Sequence, residues 1–359
     1  AGVYRETVTP KNSGVSFKGY PGEVATVSGA DIIAGPWTLD KGSIYKTTMN
    51  WDMGKGKNQI FVDGKAMMEA RWPNTDDIMV PTLLSGGGAS SISGDNLTLY
   101  DGDLVGIEDN YWRGGTVHGI WATRYHAATG QITGSYSAGY LTATLDSPGA
   151  NRGNPANNCV YYITGCYNAL DREDEWFYDS ATSTLYLWAP GGGNPAGYTV
   201  EAKARQVAFN LDGLSNITIK DMNIFSANIT TDIDSRNILI DNIDVQYISH
   251  YTLVDKGDMG EGQKGTRDSG IVLDGEYHTL RNSTINYSAG NGVSLIGDNC
   301  TVSNCEITNT NYVITECAAV STGGNKTQNN TISNNILHYT GRSIINHTYA
   351  QNITITHND

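Results

Sequence analysis

The sequence predicts an all-β solenoid: a coil of short parallel strands interrupted by a β-rich, tryptophan-rich insertion. Two observations carry this reading. The last 150 or so residues repeat with a period of about 22, and each repeat holds short alternating runs separated by Gly, Asn, Asp and Ser. Phe209-Asn210-Leu211-Asp212-Gly213 is followed by Asn216-Ile217-Thr218-Ile219. Ile271-Val272-Leu273-Asp274-Gly275 is followed by His278-Thr279-Leu280, and Val293-Ser294-Leu295-Ile296-Gly297 by Asn299-Cys300-Thr301-Val302. Further turns begin near Ala319 and Ser343. A period of this length marks a solenoid. Three short strands per turn make each strand pair with its equivalent one turn away, about 4.8 Å distant.

Taken in order, residues 1–35 carry Val15-Ser16-Phe17-Lys18-Gly19 and Val24-Ala25-Thr26-Val27-Ser28, which read as initial turns of the coil. Residues 36–200 break the period and hold all seven tryptophans. Here Gln59–Lys65 is a strand entering an Asp63-Gly64 turn, a hairpin signal. Trp176-Phe177-Tyr178-Asp179 with Thr184–Trp188 is a second two-strand unit. Residues 201–359 resume the coil and end, at Asn352–Thr356, on the strand of one more turn. Solenoids need capped ends, and Ala1 is no natural start. The sequence therefore reads as part of a longer chain, truncated at its C-terminus and lacking any targeting segment. One long connection, from Ile248 to Gly270, interrupts the otherwise tight repeat, and such loops are functional or disordered.

Several segments resemble the right-handed parallel β-helix carbohydrate-active proteins of the pectate-lyase-like group. They are Gly2-Val3-Tyr4-Arg5-Glu6, Ser13-Gly14, Gly19-Tyr20-Pro21-Gly22-Glu23, Ala70-Arg71-Trp72-Pro73-Asn74, and Glu175–Asp179 with Leu185-Tyr186-Leu187. The resemblance covers most of the chain. It implies a right-handed parallel β-helix and a secreted, extracellular protein. It does not imply one chemistry, since the group spans hydrolases, lyases, epimerases and adhesins, and fold does not set function.

A net charge of −14 argues against nucleic acid and acidic membranes as partners. No apolar run is long enough to span a bilayer. The five cysteines are an odd count, and Cys159 with Cys166 is spaced to close a short loop. Cys300 falls at an inward position, where a buried free thiol is expected. No Cys/His spacing of a metal site occurs. Ten Asn-X-Ser/Thr sites, among them Asn96, Asn216, Asn228, Asn282, Asn299 and Asn352, are glycan acceptors in a secreted eukaryotic chain. The repeat also needs turn asparagines for its own geometry.

Candidate chemistry follows from the columns of the coil. With Phe209, Leu211, Ile271, Leu273, Val293 and Leu295 inward, alternation places Asp212 and Asp274 outward, with Asp234 on the intervening turn. Carboxylates stacked about 5 Å apart raise one another's pKa. A protonated carboxyl beside an ionised one is what glycoside hydrolysis requires. Adjacent turns suit retention, and two turns, roughly 9–10 Å, falls at the upper edge of inversion. No cofactor is required, although the same oxygens suit Ca²⁺. Their structural reading is turn capping at Asp-Gly steps.

The long loop adds Asp258 and Glu261 as acids or bases and Arg267 as a substrate ligand. Tyr312, Glu316 and Arg342 lie in later connections, where Arg clamps carboxylates. Trp72 and Trp112 are candidate sugar platforms, although tryptophans gathered in one insertion more often form its core. The function read from these residues is a secreted polysaccharide-degrading enzyme, a glycoside hydrolase with paired carboxylates. A polysaccharide lyase using Lys, Arg and Tyr is the alternative. A non-catalytic adhesin or fibre component is the reading from another class.

Overall fold

The computed structural model describes residues 1–120, 127–146, 159–254, 269–313, 317–323 and 327–359. The chain divides into two compact units. One comprises Ala1–Asp31, Lys203–Thr252 and Gly260–Asp359, the other Ile32–Ala202 and Leu253–Met259.

The first unit is a parallel coil. Its main sheet runs in the order Gly2–Tyr4, Ala25–Ser28, Thr218–Phe225, Leu239–Ser249, Thr279–Arg281, Thr301–Ser303, Thr331–Ser333 and Thr354–Thr356, every pair parallel. A second parallel sheet stacks Ile271–Leu273, Val293–Leu295, Ala318–Gly323 and Ser343–Thr348. Period-two alternation sends one apolar residue per strand inward. Ile219, Ile240, Leu280, Val302 and Ile332 thereby form one registered column, each fully buried. Each such side chain stabilises the coil by about 1.5–3 kcal/mol.

The corners explain the asparagine content. Asn216, Asn237, Asn299, Asn329 and Asn352 all adopt φ between 53° and 59°, a left-handed region that Asn tolerates better than most residues. Their amides bond from turn to turn: Asn237 donates to Asn216, Asn329 to Asn299 and Asn352 to Asn329, each at 3.3 Å. The early strands join this coil. Ser16–Lys18 and Ala25–Ser28 pair in parallel with two stretches of Thr218–Phe225.

The second unit is antiparallel for the most part. Its larger sheet orders Arg71–Trp72, Val160–Thr164, Thr116–Ile120, Ala127–Tyr136, Ala138–Leu145, Asn96–Val105 and Ser91–Ser93. A second sheet carries Thr38–Lys41, Ile44–Thr48, Thr184–Trp188, Glu175–Asp179 and Met68–Glu69. The Asp63-Gly64 turn closes Ile60–Val62 onto Lys65–Ala66, with φ of 49° and 79° at its two central residues, as a two-residue hairpin of right-twisted strands requires. Trp37, Trp112 and Trp176 are buried in the cores of this unit. Cys159 and Cys166 close no loop: both are buried free thiols, as is Cys300. No helix among the described residues is long and apolar enough to cross a membrane.

Candidate functional site

Phe209, Leu211, Ile271, Leu273, Val293 and Leu295 all point into the coil, but the three aspartates beside them differ in environment. Asp212 and Asp234 are exposed. Asp274 is buried, at 8% exposure. Its N–H donates to Thr231 Oγ1 at 2.8 Å, and its Oδ1 accepts the Gly275 N–H at 3.0 Å. His278 Nε2 lies 2.7 Å from its carbonyl oxygen. Asp232 is the carboxylate that bridges turns here. Its Oδ1 accepts from the Gly213 N–H at 2.8 Å and from Ser235 Oγ at 2.9 Å.

Further along the coil, Tyr312 is buried at 6% exposure. Its hydroxyl lies 2.8 Å from His250 Nδ1 and donates to the Ser249 carbonyl at 3.2 Å. Arg342 is half-buried. Asp258, Glu261, Arg267 and Glu316 lie outside the described residues. The two tryptophans proposed as platforms pack on one another, with ring centroids 5.1 Å apart. Trp112 is buried at 3% exposure, with Tyr111 edge-on to it. It is part of a core, and its faces are covered by protein.

One coil carboxylate has an unusual setting. Asp241 is buried and accepts from Lys220 at 3.1 Å, Arg281 at 3.0 Å and Asn282 at 2.8 Å. Burial alone would raise its pKa, but the bonds from Arg281, Asn282 and Lys220 outweigh it and hold the group at about 2. Its contribution to stability is present above the ordinary carboxylate pKa of 3.8 and is lost as pH falls through about 2. Asp241→Asn should cost roughly 2 kcal/mol at neutral pH and little near the low end of that window. Urea unfolding at the two pH values measures this.

A cluster of perturbed side chains lies in the second unit. Glu69 and Arg71 sit two apart on neighbouring strand segments of a Met68–Trp72 run, so alternation sends both to one side. Across the sheet, Arg71 pairs with Thr164, and Val160–Thr164 in turn pairs with Thr116–Ile120, setting His118 opposite Tyr162. The His118 ring stacks on Tyr162 at 4.4 Å with 4° between planes, and the Arg71 guanidinium lies 4.1 Å from the Tyr162 centroid. Arg71 is itself fixed by bonds to the carbonyls of Pro73 and Thr82, at 3.0 and 2.9 Å. Thr164 Oγ1 lies 2.9 Å from His118 Nε2 and also bonds to Glu69.

Burial drives the electrostatics of this group. It raises Glu69 to about 7, against the opposing bond from Thr164 and the charge of Lys55. It lowers His118 to about 3, helped by the nearby charges of Arg71 and Lys55. It also raises Tyr162. Near neutral pH, His118 and Tyr162 are thus neutral and Glu69 is the group that exchanges a proton. A carboxyl tuned to the working pH has the proton affinity that a general acid needs. Sequence reasoning passed over Glu69 and His118. The legible signal was a Glu between Met68 and Ala70, an acid inside an apolar strand. Among the described residues, no group of three or more His, Cys, Asp or Glu side chains is gathered to hold a metal ion.

Comparison with known proteins adds the following. Residues 264–359 match the family model of the right-handed β-helix region. No curated protein matches the chain. Among solved structures, a glycoside hydrolase superposes with a TM-score of 0.55 at 11% identity, over 99% of this chain and 87% of that one. The complex of XylC with xylose gives 0.48 at 14% identity, over 99% of this chain and 58% of that one. The tailspike protein gp49 of Pseudomonas phage LKA1 gives 0.22 at 13% identity, over 78% and 39%. At such identity the first of these likenesses speaks of fold alone. Together with strands stacked in parallel from Gly2 to Thr356, the family match shows that the chain carries a right-handed parallel β-helix.

Proposed function

We propose that this protein is a secreted glycoside hydrolase acting on a polysaccharide, with Glu69 as its proton donor. The observation that carries this reading is a half-buried carboxyl poised at about 7 beside a neutral imidazole and an oriented Arg–Tyr pair. In the proposed step, the Glu69 O–H gives its proton to the glycosidic oxygen as the bond from that oxygen to the anomeric carbon breaks. A second, ionised carboxylate attacks that carbon or takes a proton from the incoming water. Asp258 is the first candidate for the second carboxylate. It follows by four residues Val254, whose N–H is held by Thr129 Oγ1 at 2.9 Å, and Thr129 pairs with His118. Independently of Glu69, Asp212, Asp234, Asp274 and Glu261 are proposed as the coil unit's own carboxylates for this chemistry, with Arg267, Tyr312, Glu316 and Arg342 of the same unit as proposed substrate contacts.

One observation favours a lyase instead: the Tyr312 hydroxyl lies 2.8 Å from His250 Nδ1, a phenol beside an imidazole, the residue types that remove a proton next to a uronate carboxyl. The two readings part in a single assay. Neutral and uronate polysaccharides are incubated with wild type and Glu69→Gln, with and without chelator, following both reducing ends and the ultraviolet absorbance of unsaturated products. Reducing ends without absorbance, lost in Glu69→Gln, support the hydrolase. Absorbance growth that survives Glu69→Gln makes the protein a lyase. Silence of the folded wild type on every substrate favours the adhesin, and loss on chelation assigns a cation to the reaction.

A further inference from the structure

Apart from the Glu69 group, the coil carries a cleft of about 510 Å³. One wall is the segment Gly19–Glu23 and the other is the stacked corners of three successive turns, with Asp221, Asn242 and Asn282. The wall is tightly seated. The Gly19 N–H donates to the Lys220 carbonyl at 3.0 Å, and a Cβ on Gly19 would lie 1.8 Å from the Asp221 carbonyl oxygen, so no other residue fits there. Immediately beyond it, Tyr20 projects with 73% of its surface exposed. The opposite wall is preorganised. Asn242 donates to Asp221 Oδ1 at 2.7 Å, and Asn282 donates to the buried Asp241 at 2.8 Å. Asp244, half-buried, completes this face together with Thr284, its registered neighbour one turn away.

The volume is that of a small-ligand site. Its chemistry is hydrogen-bonding amides, carboxylates and a hydroxyl, with one exposed aromatic face. Apolar C–H faces of a sugar ring stack on such an aromatic, and its hydroxyls donate to carboxylates and exchange bonds with amides. No Lys, Arg or His lines the cleft among the described residues, so nothing there neutralises a uronate. We infer that this cleft is a binding site for neutral oligosaccharide, separate from the catalytic group. The inference rests on the reading of this protein as a polysaccharide-handling chain, but not on Glu69 being its acid.

The test is calorimetric titration of the Glu69→Gln chain with cellohexaose, xylohexaose and mannohexaose, and with hexagalacturonate as the charged control. At least one neutral hexasaccharide should bind, and Tyr20→Ala and Asp244→Asn, each made in that background, should weaken a binding component by about fivefold or more. Tyr20 is exposed enough that its variant keeps the fold. No neutral binding, or binding unchanged by both substitutions, overturns the inference. So does a preference of this component for hexagalacturonate, or calcium titration that the Asp244 variant abolishes and on which sugar binding depends. Failure of wild-type hydrolysis overturns the proposed activity and leaves this titration readable.

Discussion

Glu69→Gln should lower turnover of the polysaccharide by about 10²–10⁴-fold, the usual worth of a positioned general acid. Gln matches the shape of the protonated carboxyl but has no proton to give. The wild type should lose activity as pH rises through about 7, because the donor is then ionised. That descending limb should vanish from whatever activity the variant retains. A purely structural Glu69 would behave differently: its removal would shift stability and leave the pH profile in place. Stability supplies a second readout. Glu69 has a folded pKa raised from 4.5 to about 7, so its contribution is fully present below 4.5 and is lost as pH rises through about 7. The Gln variant should therefore be the more stable protein at alkaline pH, by roughly 2–3 kcal/mol. Activity lost with stability gained is the trade expected of a strained functional group.

Glu175→Gln should give the largest pH-dependent change in stability. Glu175 is 1% exposed, and burial raises its pKa from 4.5 to about 8, against bonds from the backbone of Asp171 and Arg71. The sign follows as for Glu69. The native state favours the protonated form, so its contribution is complete below 4.5 and gone above about 8. Relative to wild type, the variant should unfold at higher urea above pH 8, by roughly 3–5 kcal/mol, and at nearly equal urea at pH 4. The difference between variant and wild type isolates this group from His118 and Lys203, which burial shifts the other way. A constant difference across pH would mean that Glu175 is already ionised in the folded chain. Activity should be retained, because Glu175 receives backbone N–H groups and is placed here as a structural residue.

The coil was legible because its causes are local. Alternating apolar residues, β-branched side chains and asparagine at left-handed corners recur every turn, and each repeat restates the same geometry. The Asp63-Gly64 hairpin was legible for the same reason: turn type depends on two residues. Burial at Asp274 was not legible. Alternation tells which side of a strand a residue lies on, but not what covers that side, and the bond from its N–H to Thr231 Oγ1 comes from the neighbouring turn. The pairing of Trp72 with Trp112 was equally hidden, since a ring stacked in a core and a ring offered to a sugar have the same one-letter code.

The sequence by itself determined the parallel coil and the need for asparagine at its turns, because strand period and turn chemistry act over a few residues. It also placed a Glu two positions before an Arg in an apolar run. Only the tertiary structure decided what that Glu is. Its proton affinity comes from desolvation and from Thr164 and Lys55, while Thr164 meets the His118 ring on one side and Glu69 on the other. These neighbours are brought together by sheet pairing between segments far apart in the chain. Burial and charge are properties of the assembled surroundings, and a strand pattern carries no record of them.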